Sequence, residues 1–244
     1  MISEGTQFEV IPPHVIKALK TISHFLVEDV RTARRFLSSL KIYDSIDRLH
    51  FEVLNKDTKE TDLAEMMKPL LSGNYMGIIS ESGCPGVADP GAKAVAFAHQ
   101  KNIQVIPLVG PSSILLGLMA SGLNGQKFAF HGYLPIDGKE AIKAIKELER
   151  ESKQKQQTQI FIETPFRNNQ VLDHFLNSLD PDTQLTIAID IAGDKENIRT
   201  KSVRDWKAFK PTLPKAPSIF LFGQTIWEEI RPFNNQINSY FCGS

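Results

Sequence analysis

Short apolar runs alternate with segments of helical period along most of this chain, and that alternation limits the fold more than any other feature. Phe25-Leu26-Val27, Phe51 to Leu54, Tyr75 to Ile79 and Ile103 to Leu108 read as buried strands. Between them lie segments with helical spacing: one with Ala33, Phe36, Leu37 and Leu40 on a face, one from Asp62 to Leu71 stopping at Gly73, and one from Ala92 to Gln100. Pro12 and Pro13 open an earlier helix that carries Val15, Ile16, Leu19 and Ile22. Strands separated by single helices predict parallel βαβ units and an open α/β sheet. The second half keeps the alternation but crowds it. Strands at Phe128–Leu134, Gln159–Glu163, Leu185–Asp190, Asn197–Val203 and Ser218–Phe222 surround a charged helix from Lys139 and a second one following Thr164-Pro165-Phe166-Arg167. Some of these strands lie too close together for a crossover helix, which predicts a mixed, partly antiparallel sheet. The expected organisation is two α/β domains, 1–132 and 133–244, the first with a parallel sheet and the second with a mixed one.

Two loops interrupt the first half in an unusual way. Ser80-Glu81-Ser82-Gly83-Cys84-Pro85-Gly86-Val87-Ala88-Asp89-Pro90-Gly91 follows one predicted strand, and Val109-Gly110-Pro111-Ser112-Ser113 follows another. Long breaker-rich loops cost conformational entropy and persist mainly where they have a task. In open α/β sheets, ligands sit beyond the carboxyl ends of the strands, which is where both loops fall. Glycine permits close backbone approach to a small polar ligand. The loops carry neither GxxxxGK[ST] nor GxGxxG, so neither a P-loop nor the usual dinucleotide site is expected. Taken alone, Ser112-Ser113 could equally be a helix cap.

The rest of the composition excludes more than it assigns. With 28 basic and 28 acidic residues, formal net charge is zero, so a polyanionic partner must be met by a local patch; Arg31, Arg34 and Arg35 form the densest one. No apolar stretch approaches the ~20 residues of a membrane span, and no membrane partner is expected. Two cysteines, Cys84 and Cys242, fit a reducing cytoplasm, and Cys84 reads as a small packing residue. The six histidines show no HxxxH or HExxH spacing, so no metal site is expected. Glu28 and Asp29, with Arg31, read either as a catalytic cluster or as acids at a helix start.

The stretches SESGCPGVADPG, IPLVGPSS, FAFHGYLP, VEDVRTARRFL and FIETPFRN together resemble the tetrapyrrole methylase superfamily. They look most like its small-subunit ribosomal RNA branch, whose members 2′-O-methylate a cytidine. The resemblance covers residues 11 to 222, and it implies two α/β domains with S-adenosyl-L-methionine folded between them, generally in a homodimer. By the same match, Ser82, Gly83, Cys84 and Val87 would line the cofactor cleft and Ser112 and Ser113 would sit against the cofactor. Glu163 and the Ala192-Gly193 turn would close from the second domain. Family members begin with a strand and a loop that form the cofactor floor; here the chain reads as starting just after that strand. Ala216-Pro217 and Cys84 replace an acid-containing pair and an acid or threonine of the family pattern.

Methyl transfer from a sulfonium is an in-line displacement, so alignment and water exclusion dominate the task. A ribose hydroxyl must also lose its proton, and Glu28, Asp29 and Asp89 are the candidate bases. The leading expectation is a methyltransferase of ribosomal RNA. Two others stand beside it: a methyltransferase of a tetrapyrrole or other small molecule, and a non-catalytic binding protein of the same fold.

Overall fold

The computed structural model describes residues 7–81 and 83–224. In chain order its first half runs α1 (Gln7–Val10), α2 (Pro13–Leu19), β1 (His24–Val27), α3 (Val30–Ser39), β2 (His50–Val53), α4 (Glu60–Met66), α5 (Lys68–Leu71), β3 (Met76–Ile79) and α6 (Gly91–Gln100). The second half runs α7 (Ser113–Ser121), β4 (Phe128–Phe130), α8 (Gly138–Lys155), β5 (Thr158–Glu163), α9 (Asn168–Ser178), β6 (Gln184–Ile189), β7 (Asn197–Ser202), α10 (Val203–Ala208) and β8 (Ser218–Gly223). No helix among the described residues is long and apolar enough to cross a membrane.

The first three strands form a parallel sheet in the order β2-β1-β3. Alternation along β1 sends Phe25 and Val27 to one face and Leu26 to the other. The first face packs against α2 and α3 through Leu19, Ala33 and Leu37, and the second against α4 and α6 through Leu63, Met67, Ala94 and Phe97. Local chemistry sets the helix ends. Asp29 caps α3, its carboxylate accepting Thr32 N–H at 2.7 Å. Gly73, with φ +88°, ends α5 in a conformation costly to other residues.

The other five strands form a mixed sheet, β4-β5-β8-β6-β7, parallel only between β4 and β5. One face meets α8, α9 and α10 in a core of Ile145, Phe161, Leu172, Phe175, Trp206, Phe220 and Phe222. The opposite face is covered by α7, with Leu118 and Leu123 against Ile160, Ile219 and Leu221. Burying each such side chain contributes about 1.5–3 kcal/mol before entropy is subtracted, so this core fixes both layers on the sheet.

Two expectations need correction. Ile103–Leu108 is not a strand: only Ile103 and Val105 reach the core, Ile106 is 62% exposed, and Pro107 offers no N–H to a ladder. The first strand of the second half, β4, is shorter than expected, ending at Phe130 rather than Leu134. β4 pairs with β5 and so belongs to the second sheet, against which α7 packs through Leu118. The helix α10 follows directly on β7 without a breaker between them, capped by Ser202, and had no separate signal in the run Asn197–Val203.

Candidate functional site

The carboxyl ends of β1 and β3 place Glu28 and Glu81 side by side. The Glu28 carboxylate accepts the Glu81 N–H at 2.9 Å, joining the start of the 80–91 loop to the neighbouring strand. Loop 80–91 is then closed from within. Asp89 Oδ1 accepts the N–H groups of Gly86 at 2.6 Å and Gly91 at 2.7 Å, while Ser80 donates to the Gly83 carbonyl. Gly91 admits no side chain, since a Cβ there would lie 2.9 Å from Asp89 Oδ1 and 3.1 Å from Gly86 N. Gly83 differs: its φ is +79°, and nothing lies within 4 Å of where a Cβ would stand. Its backbone faces open space.

A clasp joins this loop to the second one. The Cys84 thiol lies 3.8 Å from the Gly110 carbonyl and 3.7 Å from that of Pro111, within the range of a weak sulfur hydrogen bond. The two breaker-rich loops therefore meet, as expected of loops on one sheet edge. Leading into the clasp, the backbone groups of 104–109 find no backbone partner among the described residues. Apolar side chains crowd the same region without being covered: Val87, Ile106, Val109 and Leu115 are all at least 46% exposed. Free backbone donors and acceptors beside uncovered apolar groups suit a ligand that is part polar and part flat and apolar.

The remaining sequence candidates fall as follows. Ser82 lies outside the described residues. Ser112 caps α7, accepting Leu115 N–H at 3.5 Å, and Ser113 is the first residue of that helix. One turn further, Gly117 lies against Ile191 and Ile219 of the second sheet's end, so α7 carries the clasp toward the 190–193 turn. That turn is tight: Asp190 and Ala192 have φ of +51° and +60°, and Ala192 N–H donates to Glu196. Glu163, at the carboxyl end of β5, is 4% exposed; it accepts Thr164 N–H at 2.7 Å and stands 3.5 Å from Arg167. Its Oε2 is buried without a hydrogen-bond partner among the described residues.

Electrostatics separates the three acids. Hydrogen bonds from the Thr32 N–H and hydroxyl hold the Asp29 carboxyl below the ordinary carboxylate value. Asp89 is committed to the loop. Glu28 uses one oxygen for Glu81 and keeps the other unbonded among the described residues. Beside them a shallow cavity of about 790 Å³ is lined by Asp29, Val30, Arg31, Thr32, Arg34 and Glu81. Arg34 is not a free cation of this patch: it pairs with Asp47 at 2.7 Å and lies over the Phe51 ring. Sequence reasoning missed Glu81 and Arg167, whose roles depend on contacts from distant segments.

No family model matches the chain. Among curated proteins, Ribosomal RNA small subunit methyltransferase I of Halalkalibacterium halodurans is 31% identical over 161 residues, 66% of this chain and 53% of that protein. The protein of the same name from Vibrio cholerae is 29% identical over 78% of this chain and 62% of its own length. That of Pasteurella multocida is 25% identical over 93% and 78%. The chain thus spans between half and two thirds of the length of the first two relatives. Among solved structures, the methyltransferase CobJ superposes with a TM-score of 0.58 at 15% identity, over 92% of both chains. The uroporphyrin-III-C-methyltransferase from Thermus thermophilus gives 0.52 at 16% identity, over 89% of this chain and 87% of that one. The chain has the fold of the tetrapyrrole methyltransferases and is similar in sequence to the ribosomal RNA small subunit methyltransferases I.

Proposed function

We propose that the chain is an S-adenosyl-L-methionine-dependent methyltransferase acting on a ribose 2′-hydroxyl of small-subunit ribosomal RNA, in the cytoplasm and as a homodimer. The observation that carries the cofactor assignment is the clasp between Cys84 and the Gly110 and Pro111 carbonyls, with open backbone on either side of it. The residues fit the group. Gly83 and Gly110 carry no side chain and nothing stands within 4 Å of where a Cβ would be, so a ligand can approach their backbone closely. Val87 and Leu115 supply apolar surface for the adenine. Glu163 and the Ala192-Gly193 turn stand at the carboxyl ends of β5 and β6 and form the opposite wall. We place the division between the two units between β3 and α7, with α7 as the bridge.

When bound, the cofactor supplies a methyl group made electrophilic by its sulfonium. The chain's own contribution is alignment and proton removal. Glu28 is the better base, because Asp29 is held below the ordinary carboxylate range and Asp89 is engaged by two N–H groups. The acceptor rests on the relatives, all named as ribosomal RNA methyltransferases.

S-Adenosylhomocysteine tests the cofactor assignment directly. At 100 times its Kd it should stabilise the fold by about 2.7 kcal/mol, raising Tm by roughly 5–10 °C for a chain of this size. Gly83→Val should abolish the rise, because a β-branched residue both strains φ +79° and fills the approach. An unchanged melting curve at saturating ligand contradicts the assignment.

A further inference from the structure

Three large apolar side chains are displayed on the second unit where burial is expected. Phe166 and Ile136 are each 83% exposed and Tyr133 is 56% exposed. All three sit on turns that are pinned from beneath. The Arg167 guanidinium donates to the Leu134 carbonyl at 3.4 Å and the Pro135 carbonyl at 3.0 Å, and it also faces buried Glu163. The wholly buried Asn168 donates to the carbonyls of Pro214 and Ala216, at 3.0 and 2.8 Å. Asn169 both donates to and accepts from the backbone of Leu213. Three consecutive side chains at the start of α9 therefore hold the loop before α8 and the loop before β8 in fixed relation. Rigid support beneath uncovered aromatic surface is the arrangement of a contact site, since loose surface turns need no buried polar anchors.

The chemistry of the exposed groups points to one occupant. Lys215, carried on the second pinned loop, places its ammonium 5.7 Å from the centroid of the Phe166 ring. An exposed ring with a cation over it matches a ligand that offers a flat π-face attached to a negative charge. Unpaired nucleotides of RNA are such ligands, whereas paired bases hide their faces. We propose that Phe166, served by Lys215, is a stacking platform for an unpaired base of single-stranded RNA. It rests on the reading of RNA as the acceptor and adds how the strand is held.

The probe is a fluorescently labelled 12-nucleotide oligocytidylate, with affinity read by anisotropy across a salt series. Phe166→Ala should weaken binding roughly tenfold, the loss typical of one stacked base. Phe166→Trp should retain affinity and Phe166→Leu should not, which separates stacking from plain apolar contact. Lys215→Gln should lower the slope of log affinity against log salt by about 0.7. At 83% exposure, Phe166 can be replaced without unfolding the protein, and S-adenosylhomocysteine stabilisation should be unchanged in every variant. Equal affinity of Phe166→Ala and the parent, while the parent methylates ribosomal RNA, overturns the platform and leaves the acceptor assignment standing. A parent chain that binds no oligonucleotide and methylates no RNA overturns both. Light scattering closes the remaining route: the parent should give about twice 27.3 kDa, and Phe166→Ala the same. Dissociation of Phe166→Ala to monomers would make this surface an interface between copies and overturn the platform.

Discussion

Glu28, Asp29 and Asp89 are all carboxylates on the ligand-facing edge, and each accepts at least one backbone N–H. The difference lies in what is left over. Asp89 ties Gly86 to Gly91 and thereby sets the shape of loop 80–91, a positioning role. Asp29 caps α3. Glu28 alone makes a single N–H contact and caps no helix. Two substitutions separate these roles. Glu28→Gln keeps the acceptor for Glu81 N–H and should retain the stabilisation by S-adenosylhomocysteine while losing at least 100-fold in methyl transfer, the usual contribution of a general base. Asp89→Ala removes two charge-assisted hydrogen bonds, should cost about 2–3 kcal/mol of stability, and should lose the ligand stabilisation together with turnover. Parallel melting curves and turnover assays check both. An Asp89→Ala protein that binds the ligand normally yet fails to turn over would reverse the assignment of base and positioning residue.

The elements were legible wherever side-chain period and punctuation agree. Phe25 and Val27 against Leu26 gave β1, Gly73 gave the end of α5, and both breaker-rich loops fell at carboxyl ends of predicted strands or strand-like runs. Ile103–Leu108 misled because its β-branched content is that of a strand, while ladder formation needs backbone donors and a neighbour that the side chains do not reveal. Pro107 was the warning in the sequence. The clasp at Cys84 was half legible: the two loops could be placed on one edge, but the thiol's acceptors are carbonyls 26 and 27 residues away. Arg167 shows the same limit. Its position after Thr164-Pro165-Phe166 marked a turn, and only the fold brings it to the carbonyls of Leu134 and Pro135. Pinned loops and exposed rings are tertiary facts without a one-dimensional signature.

At the scale of the whole molecule, α7 connects the two halves of the site. Its first turn is capped by Ser112 beside the Cys84 clasp, its middle packs through Gly117 on Ile219 and Leu221, and its last residue accepts the Thr200 hydroxyl from β7. In the proposed function, a cofactor held at the clasp is set against the ends of β5 and β6 by this one helix. Fixed alignment of this kind is what an in-line methyl transfer needs, because small errors of position are costly to the rate. The activity proposed for this geometry is methylation of small-subunit ribosomal RNA on a ribose. Its most direct measurement is mass-spectrometric mapping of that RNA after incubation with the protein and isotopically labelled S-adenosyl-L-methionine. The RNA should come from cells lacking the gene. One labelled 2′-O-methyl nucleotide, absent when Glu28→Gln replaces the parent protein, is the predicted result. Full ligand stabilisation with no label in the RNA would contradict the account and assign the methyl group to a small-molecule acceptor.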